Sequence, residues 1–398
     1  MAMPEHLQWQ RELILRTFFG FSLLIAGWGT RTTAGVTIGV NYGKLADNLP
    51  APSEVVALLQ SISVTKSKLY DADPLVLQTF SNTGISFIVG THNQDLLALT
   101  NPALAASWVQ TNIAAHLPAT NIIGVVVGNE ILSSSDTNMM AQVLPAMQNV
   151  YTALKVLNLH RQVFVSTAHS FSVLSFSFPP SSGAFEPTIA SLYVKPILDF
   201  LDETGAPFLI NIYPFFAYKD NPTEVSLDYV LFKTTEGVVD ANTGLHYYNM
   251  FDAQMDAVYS AISAFGYHNI TLLVSETGWP SRGDPDEVGA SISNAQTYHA
   301  NLVKHVESKQ GTPLRPDITP EIYLFALFNE DQKPGPTSER NYGLFHPDGS
   351  KVYPFSSFSQ SSDARTSFGC HSLLAAAIST FCCYWLSLSF IVNLGIFL

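Results

Sequence analysis

Cysteine is nearly absent from this chain. Its 398 residues include three, Cys370, Cys382 and Cys383, all close to the C-terminus. Everything before Cys370 is therefore free of disulfides, thiol nucleophiles and Cys-ligated metal. Positive charge is also scarce. Lys and Arg total 19 against 32 Asp and Glu, a formal net charge of −13, which excludes charge-driven binding to nucleic acid or anionic lipid. No Gly-rich phosphate loop opens a helix: GVVVGNE at 124–130 does not fit G-x-G-x-x-G, so a dinucleotide-binding sheet is disfavoured. His169, His246, His268 and His299 are scattered without H-E-x-x-H spacing, and the G-x-S-x-G turn of a serine hydrolase is missing. These patterns imply no metal and no cofactor.

The two ends read as targeting segments. Arg11 and Arg16 precede an apolar run, Thr17–Trp28, and small residues at Thr32–Gly35 offer a cleavage site. This pattern predicts a secretory signal peptide over 1–34; a membrane anchor is the alternative, for which the run is short. At the other end Leu373–Leu398 carries no charge and has no Lys or Arg after it. A polar, small-residue stretch, Ser356–Ser367, precedes it. Together they predict a GPI-attachment signal: a spacer over 356–372, attachment at Ser362 or its neighbour Ser361, and removal of 373–398. A tail-anchored span is the alternative. The remaining 35–355 has the size of one α/β barrel. Asn269-Ile270-Thr271 is the only glycosylation sequon without Pro in its middle.

What is present within 35–355 is a succession of apolar runs separated by helical patterns. The runs are Val36–Gly43, Lys68–Asp71, Ile85–Asn93, Asn121–Glu130, Val163–Ser170, Phe208–Phe216, Thr271–Pro280 and Glu321–Glu330. Continuous apolar runs suit strands buried on both faces of a parallel sheet. Eight of them predict a closed (β/α)8 barrel, with a polar insertion at 217–246 after the sixth strand walling a cleft.

Three of the runs end in an acid: Glu130, Glu276 and Glu330. Catalytic residues collect at that edge of a β/α barrel. Two carboxyls facing each other across its mouth, one protonated and one ionised, are the equipment for glycoside hydrolysis. Asn129 is a natural donor to a sugar hydroxyl. Tyr42, Tyr213, Phe215, Phe216, Trp279 and Phe328 offer flat faces for sugar rings, with several expected to be packing residues instead. Lys333 has the spacing to pair with Glu330 or to form a surface ion pair.

IGVNYG at Ile38–Gly43, LYD at Leu69–Asp71, GNE at Gly128–Glu130, NIYPFF at Asn211–Phe216, VSETGWPS at Val274–Ser281 and FNEDQKPGP at Phe328–Pro336 resemble plant glycoside hydrolase family 17, the glucan endo-1,3-β-glucosidases. The resemblance covers essentially the whole of 35–355. It implies a (β/α)8 barrel and a retaining mechanism, with Glu130 as proton donor and Glu276 as nucleophile. Glu330 and Lys333 match the accessory acid and lysine; Tyr42, Asn129 and Tyr213 match cleft residues. Asn93, Phe216 and Trp279 are added as expected substrate contacts. The Cys-rich carbohydrate-binding module of some members is not found after Ser356. The chain is thus expected to be a monomer that cuts β-1,3-glucan at the cell surface, tethered to the outer leaflet of the plasma membrane. The alternatives are a transglycosylase on the same barrel and a glucan-binding protein that has lost activity.

Overall fold

The computed structural model of the protein describes residues 38–358. Eight parallel strands close into a barrel: β1 Ile38–Asn41, β2 Lys66–Lys68, β3 Ser86–Thr91, β4 Asn121–Asn129, β5 Phe164–Ser170, β6 Phe208–Asn211, β7 Leu272–Thr277 and β8 Glu321–Leu324. Neighbours follow chain order, and β8 closes on β1, with Ile38 opposite Ile322 and Val40 opposite Leu324. All eight expected strands exist, mostly shorter than their apolar runs. The second lies at Lys66–Lys68 rather than 68–71, and the eighth stops at Leu324, six residues before its acid.

The helices between strands start where their caps are. Asp73 accepts from the backbone of Leu75 ahead of Pro74–Thr79, Asn101 caps Pro102–Val109, and Asp136 caps Thr137–Val156. Their apolar faces pack on the outer side of the strands in one continuous core. A second core fills the barrel's interior: Ile88, Val126, Ala168, Leu209, Leu273 and Tyr323, one from each of β3 to β8. Gly39 on β1 gives the Tyr323 ring its space, since a Cβ there would lie 2.4 Å from the ring. The interior is thus packed shut below, above a rim where Lys66 pairs with Glu321 at 2.6 Å and Asn121 donates to Ser86, while the acids of the sequence motifs lie towards the strands' C-terminal ends.

Two insertions rise at that end. The one after β6 holds Pro214–Asp220, Leu227–Val230 and a hairpin of Val238–Val239 with His246–Tyr247. A second, not foreseen from sequence, follows β5 and pairs Leu174–Phe176 with Ala184–Phe185. Among the described residues, no helix is long and apolar enough to cross a membrane. The expected signal peptide, Ser362 and the apolar tail lie outside the described residues. Asn269 of the sequon is exposed in the loop before β7.

Candidate active site

Both central acids are aimed by irregular backbone. Along β7, Leu273 points into the barrel and Val274 outward to the helices. The pairing register then slips between Val274 and Glu276 against β6, and between Val274 and Thr277 against β8. A bulge of this kind breaks the alternation, so Ser275 and Glu276 both turn inward. Ser275 Oγ donates to Asn211 Oδ1 over 2.6 Å, while Thr277 turns out to meet Tyr298. β4 does the same by another route. Its register slips between Val126 and Asn129, Gly128 has φ +73°, and Glu130 itself has φ +57°. Left-handed backbone at a glutamate is uncommon; here a hydrogen bond from its N–H to the Ala168 carbonyl holds it, at 2.8 Å.

Glu276 is buried and fully engaged. Its Oε1 accepts from Lys68 Nζ at 3.0 Å and from Tyr70 Oη at 2.7 Å; its Oε2 accepts from Tyr213 Oη at 2.8 Å. Burial alone would raise this carboxyl, but the Lys68 charge and hydrogen bond, the Tyr70 hydroxyl and the charge of Lys333 outweigh it and hold Glu276 below the ordinary glutamate range. Glu130 is the opposite case. Burial raises it, the charge of Glu276 raises it further, and the hydrogen bond from Asn211 Nδ2 to its Oε1 at 2.8 Å with the charge of Lys68 offsets only part. Glu330 is buried and also raised, first by burial, with Lys333 and the Leu45 N–H opposing. Its Oε1 accepts from Leu45 N at 2.8 Å, and a Cβ on Gly43 would collide with its Oε2 at 2.4 Å. One cleft therefore holds an ionised carboxylate and a carboxyl that keeps its proton to higher pH. These are the acid and nucleophile environments that glycoside cleavage needs. Its cavity measures about 1450 Å³.

A model of the Glycosyl hydrolases family 17 matches residues 38–356. The chain belongs to that family. Relatives include Glucan endo-1,3-beta-glucosidase 11 of Arabidopsis thaliana, 54% identical over 323 residues that span 81% of this chain and 76% of the relative. Glucan endo-1,3-beta-glucosidase 14 of the same plant is 49% identical, spanning 85% of this chain and 86% of the relative. Among solved structures, CJP38, a beta-1,3-glucanase and allergen of Cryptomeria japonica pollen, superposes with TM-score 0.78 at 43% identity, covering 82% of this chain and all of that one.

Within this family 17 barrel, Glu130, Glu276, Glu330, Lys333, Tyr42, Asn129, Tyr213 and Phe216 all line the one cavity. Two expectations need correction, for Trp279 and Asn93, and the two readings of Lys333 are decided. Trp279, expected beside the acid, is fully buried outside the barrel. It shares the outward parity of Thr277, packs on Phe215 and Tyr298, and donates to the Gly289 carbonyl. Asn93 does not line the cavity; it clamps the backbone of Asn129, accepting from its N–H at 2.8 Å and donating to its carbonyl at 3.0 Å. Asn129 Oδ1 itself is buried without a partner, and the residue lines the cavity. Lys333 pairs with Glu339, at 3.8 Å, and lies 4.1 Å from the centroid of the Phe325 ring, so its effect on Glu330 is through space. Phe215 and Phe328, among the aromatic candidates, are core residues.

Lys68, Tyr70 and Asn211 were missed as site residues. One signal for Lys68 was available: a lysine within a buried strand needs a partner.

Proposed function

We propose that this chain cleaves internal β-1,3-glucosidic bonds of glucans with retention of anomeric configuration. The observation that carries the chemistry is the opposed state of Glu130 and Glu276 in one cleft. The relatives' names support the linkage, and the size of the cavity suits several consecutive sugar units rather than one chain end.

Glu276 Oε2 carries one hydrogen bond where Oε1 carries two, so Oε2 is the freer oxygen to attack the anomeric carbon. As that bond forms, the bond from carbon to the glycosidic oxygen breaks, and the Glu130 proton goes to the departing oxygen. Ester formation removes the charge of Glu276. The repulsion that raised Glu130 then vanishes, and its carboxylate is set to take a proton from the water that releases the sugar. Asn211 holds Glu130 in place, and the unpartnered Asn129 carboxamide suits a hydroxyl next to the reacting carbon.

The test is stereochemical. Proton NMR during early turnover of a linear β-1,3-oligosaccharide is expected to show the β-anomer first. Glu276→Ala should abolish turnover, and added azide should restore part of it as an α-glycosyl azide. Release of the α-anomer by the native enzyme would mean direct attack by water and overturn the nucleophile assignment.

For location, we propose secretion and a GPI tether at Ser362, on the strength of the sequence at the two ends.

A further inference from the structure

The last described stretch of the chain returns to the end of the barrel opposite the cleft. After β8 it crosses the mouth, where Glu330, Lys333, Glu339 and Tyr342 line the cavity. It then descends outside the barrel between the last helix, Ile292–Glu307, and the first, Pro52–Ser61. Gln296 Nε2 donates to the Pro354 carbonyl at 2.9 Å, and the Tyr353 hydroxyl meets His299 Nδ1. Lower down, Ser357 Oγ donates to the Ser61 carbonyl at 3.2 Å and Phe358 N to the Ile62 carbonyl at 3.0 Å. Ile62 caps the C-terminal end of the first helix, just before β2 begins at Lys66. Phe358 is 8% exposed and stacks on Phe355. It is therefore fixed at the barrel's N-terminal end. β1 starts at that end too, so the chain enters and leaves the described barrel on one face.

We infer that this face, made by the seven connections from helix to strand, is the one turned to the outer leaflet, with the cleft opening away from the bilayer. The inference rests on the tether proposed above. Ser362 follows Phe358 so closely that the chain between them reaches at most about 14 Å. β4 alone, nine residues long, separates the two ends of the barrel by about 25 Å along its axis, allowing for strand tilt. An attachment at Ser362 therefore falls short of the cleft's mouth.

The two ends also differ in charge. Among the described residues, the helix-to-strand connections carry Arg161, Lys309 and Arg315 against a single acid, Asp317. Around the cavity, Asp71, Asp220, Glu224, Glu236 and Glu339 join the three central glutamates against Lys44 and Lys333. A surface of lipid phosphates thus repels the cleft end more than the end that carries the tether. Held this way, the cleft meets polymer arriving from the side away from the membrane.

The orientation is read by energy transfer from the full chain to lipid. The described residues hold no cysteine, so with Cys370→Ser, Cys382→Ser and Cys383→Ser a single thiol can be placed at will. Val156→Cys puts a donor dye at the tether's end, where the residue is 76% exposed. Ser135→Cys puts one at the cleft end, in the exposed connection after β4. Each chain is purified from membranes and reconstituted into phosphatidylcholine vesicles that carry a headgroup-labelled acceptor lipid. Transfer from position 156 is expected to exceed that from position 135 roughly threefold or more, given about 25 Å between the ends. Equal transfer, or more from 135, overturns the orientation even where mass spectrometry finds Ser362 with its glycan. Stronger transfer from 156 in a chain that keeps Leu373–Leu398 intact upholds the orientation while the tether reading fails, because that chain too leaves the barrel at Phe358. Transfer from neither position overturns both.

Discussion

Lys68 shows how much chemistry one buried cation can set. Its ammonium lies 3.0 Å from Glu276, with 1% of the lysine side chain exposed and 8% of the glutamate's. It lowers Glu276 directly and Glu130 through space. Activity requires Glu276 ionised and Glu130 protonated, so kcat/KM against pH follows a bell whose limbs belong to the pair. In Lys68→Met the largest offset to burial at Glu276 is lost, with part of the offset at Glu130. Both limbs should then move to higher pH, with kcat/KM at the native optimum falling about a hundredfold. A profile that only shrinks, with its limbs unmoved, would show that Lys68 merely supports the fold. Glu130 carries a second consequence. A glutamate whose folded pKa is raised contributes stability below its unfolded pKa and loses it as pH rises through the folded value. At neutral pH the ionised Glu130 is therefore a burden on the fold. Glu130→Gln should raise Tm by about 1–3 °C at pH 7, with the gain fading in mild acid, while turnover of glucan collapses. Activated aryl glycosides, whose leaving groups need little protonation, should suffer far less.

At the scale of elements, the apolar runs announced the strands because both faces of each are buried. Which residue at a strand's end faces the cleft was not legible, since that depends on bulges and on left-handed backbone that no period reveals. The sequence alone therefore points Trp279 towards the cleft, and it does not mark Lys68, whose partner is 208 residues away in the chain. Asn211 was quoted only as part of a motif, although it joins β6 to both Glu130 and Ser275. The insertion after β5 also escaped notice, its Ser, Pro and Phe residues carrying no clear period. Yet it is bound to the insertion after β6 through Asp240, whose carboxylate burial would raise but which hydrogen bonds from Ser181, Asn242 and Thr243 hold below the ordinary range. Asp240→Ala removes the acceptor that joins the two. Hydrogen exchange should then quicken in 174–185 and 236–247 together while β4 and β7 stay protected. Quickening in only one of the two segments would show that they are not coupled.

At the scale of the whole molecule, the described residues that line the cleft all lie between Tyr42 and Tyr342, within the barrel and its insertions. A net charge of −13 gives it no electrostatic affinity for anionic lipid or for an acidic wall. A covalent tether is the source of surface residence proposed above: Ser362 followed by Asp363 and Ala364, a polar spacer and an uncharged tail has the pattern of a glycolipid-transfer signal. The proposed tether would add nothing to the reaction at Glu130 and Glu276; it would keep the cleft near glucan as that polymer is laid down. Phosphatidylinositol-specific phospholipase C is expected to release active enzyme from membranes bearing a cleavable anchor. A chain truncated after Ser367 should appear in the medium with unchanged kcat/KM on soluble β-1,3-glucan. Mass spectrometry of the membrane-bound enzyme decides between the tether and a span. A C-terminal peptide ending at Ser362 or its neighbour with glycan attached supports the tether, and recovery of an intact Leu373–Leu398 overturns it.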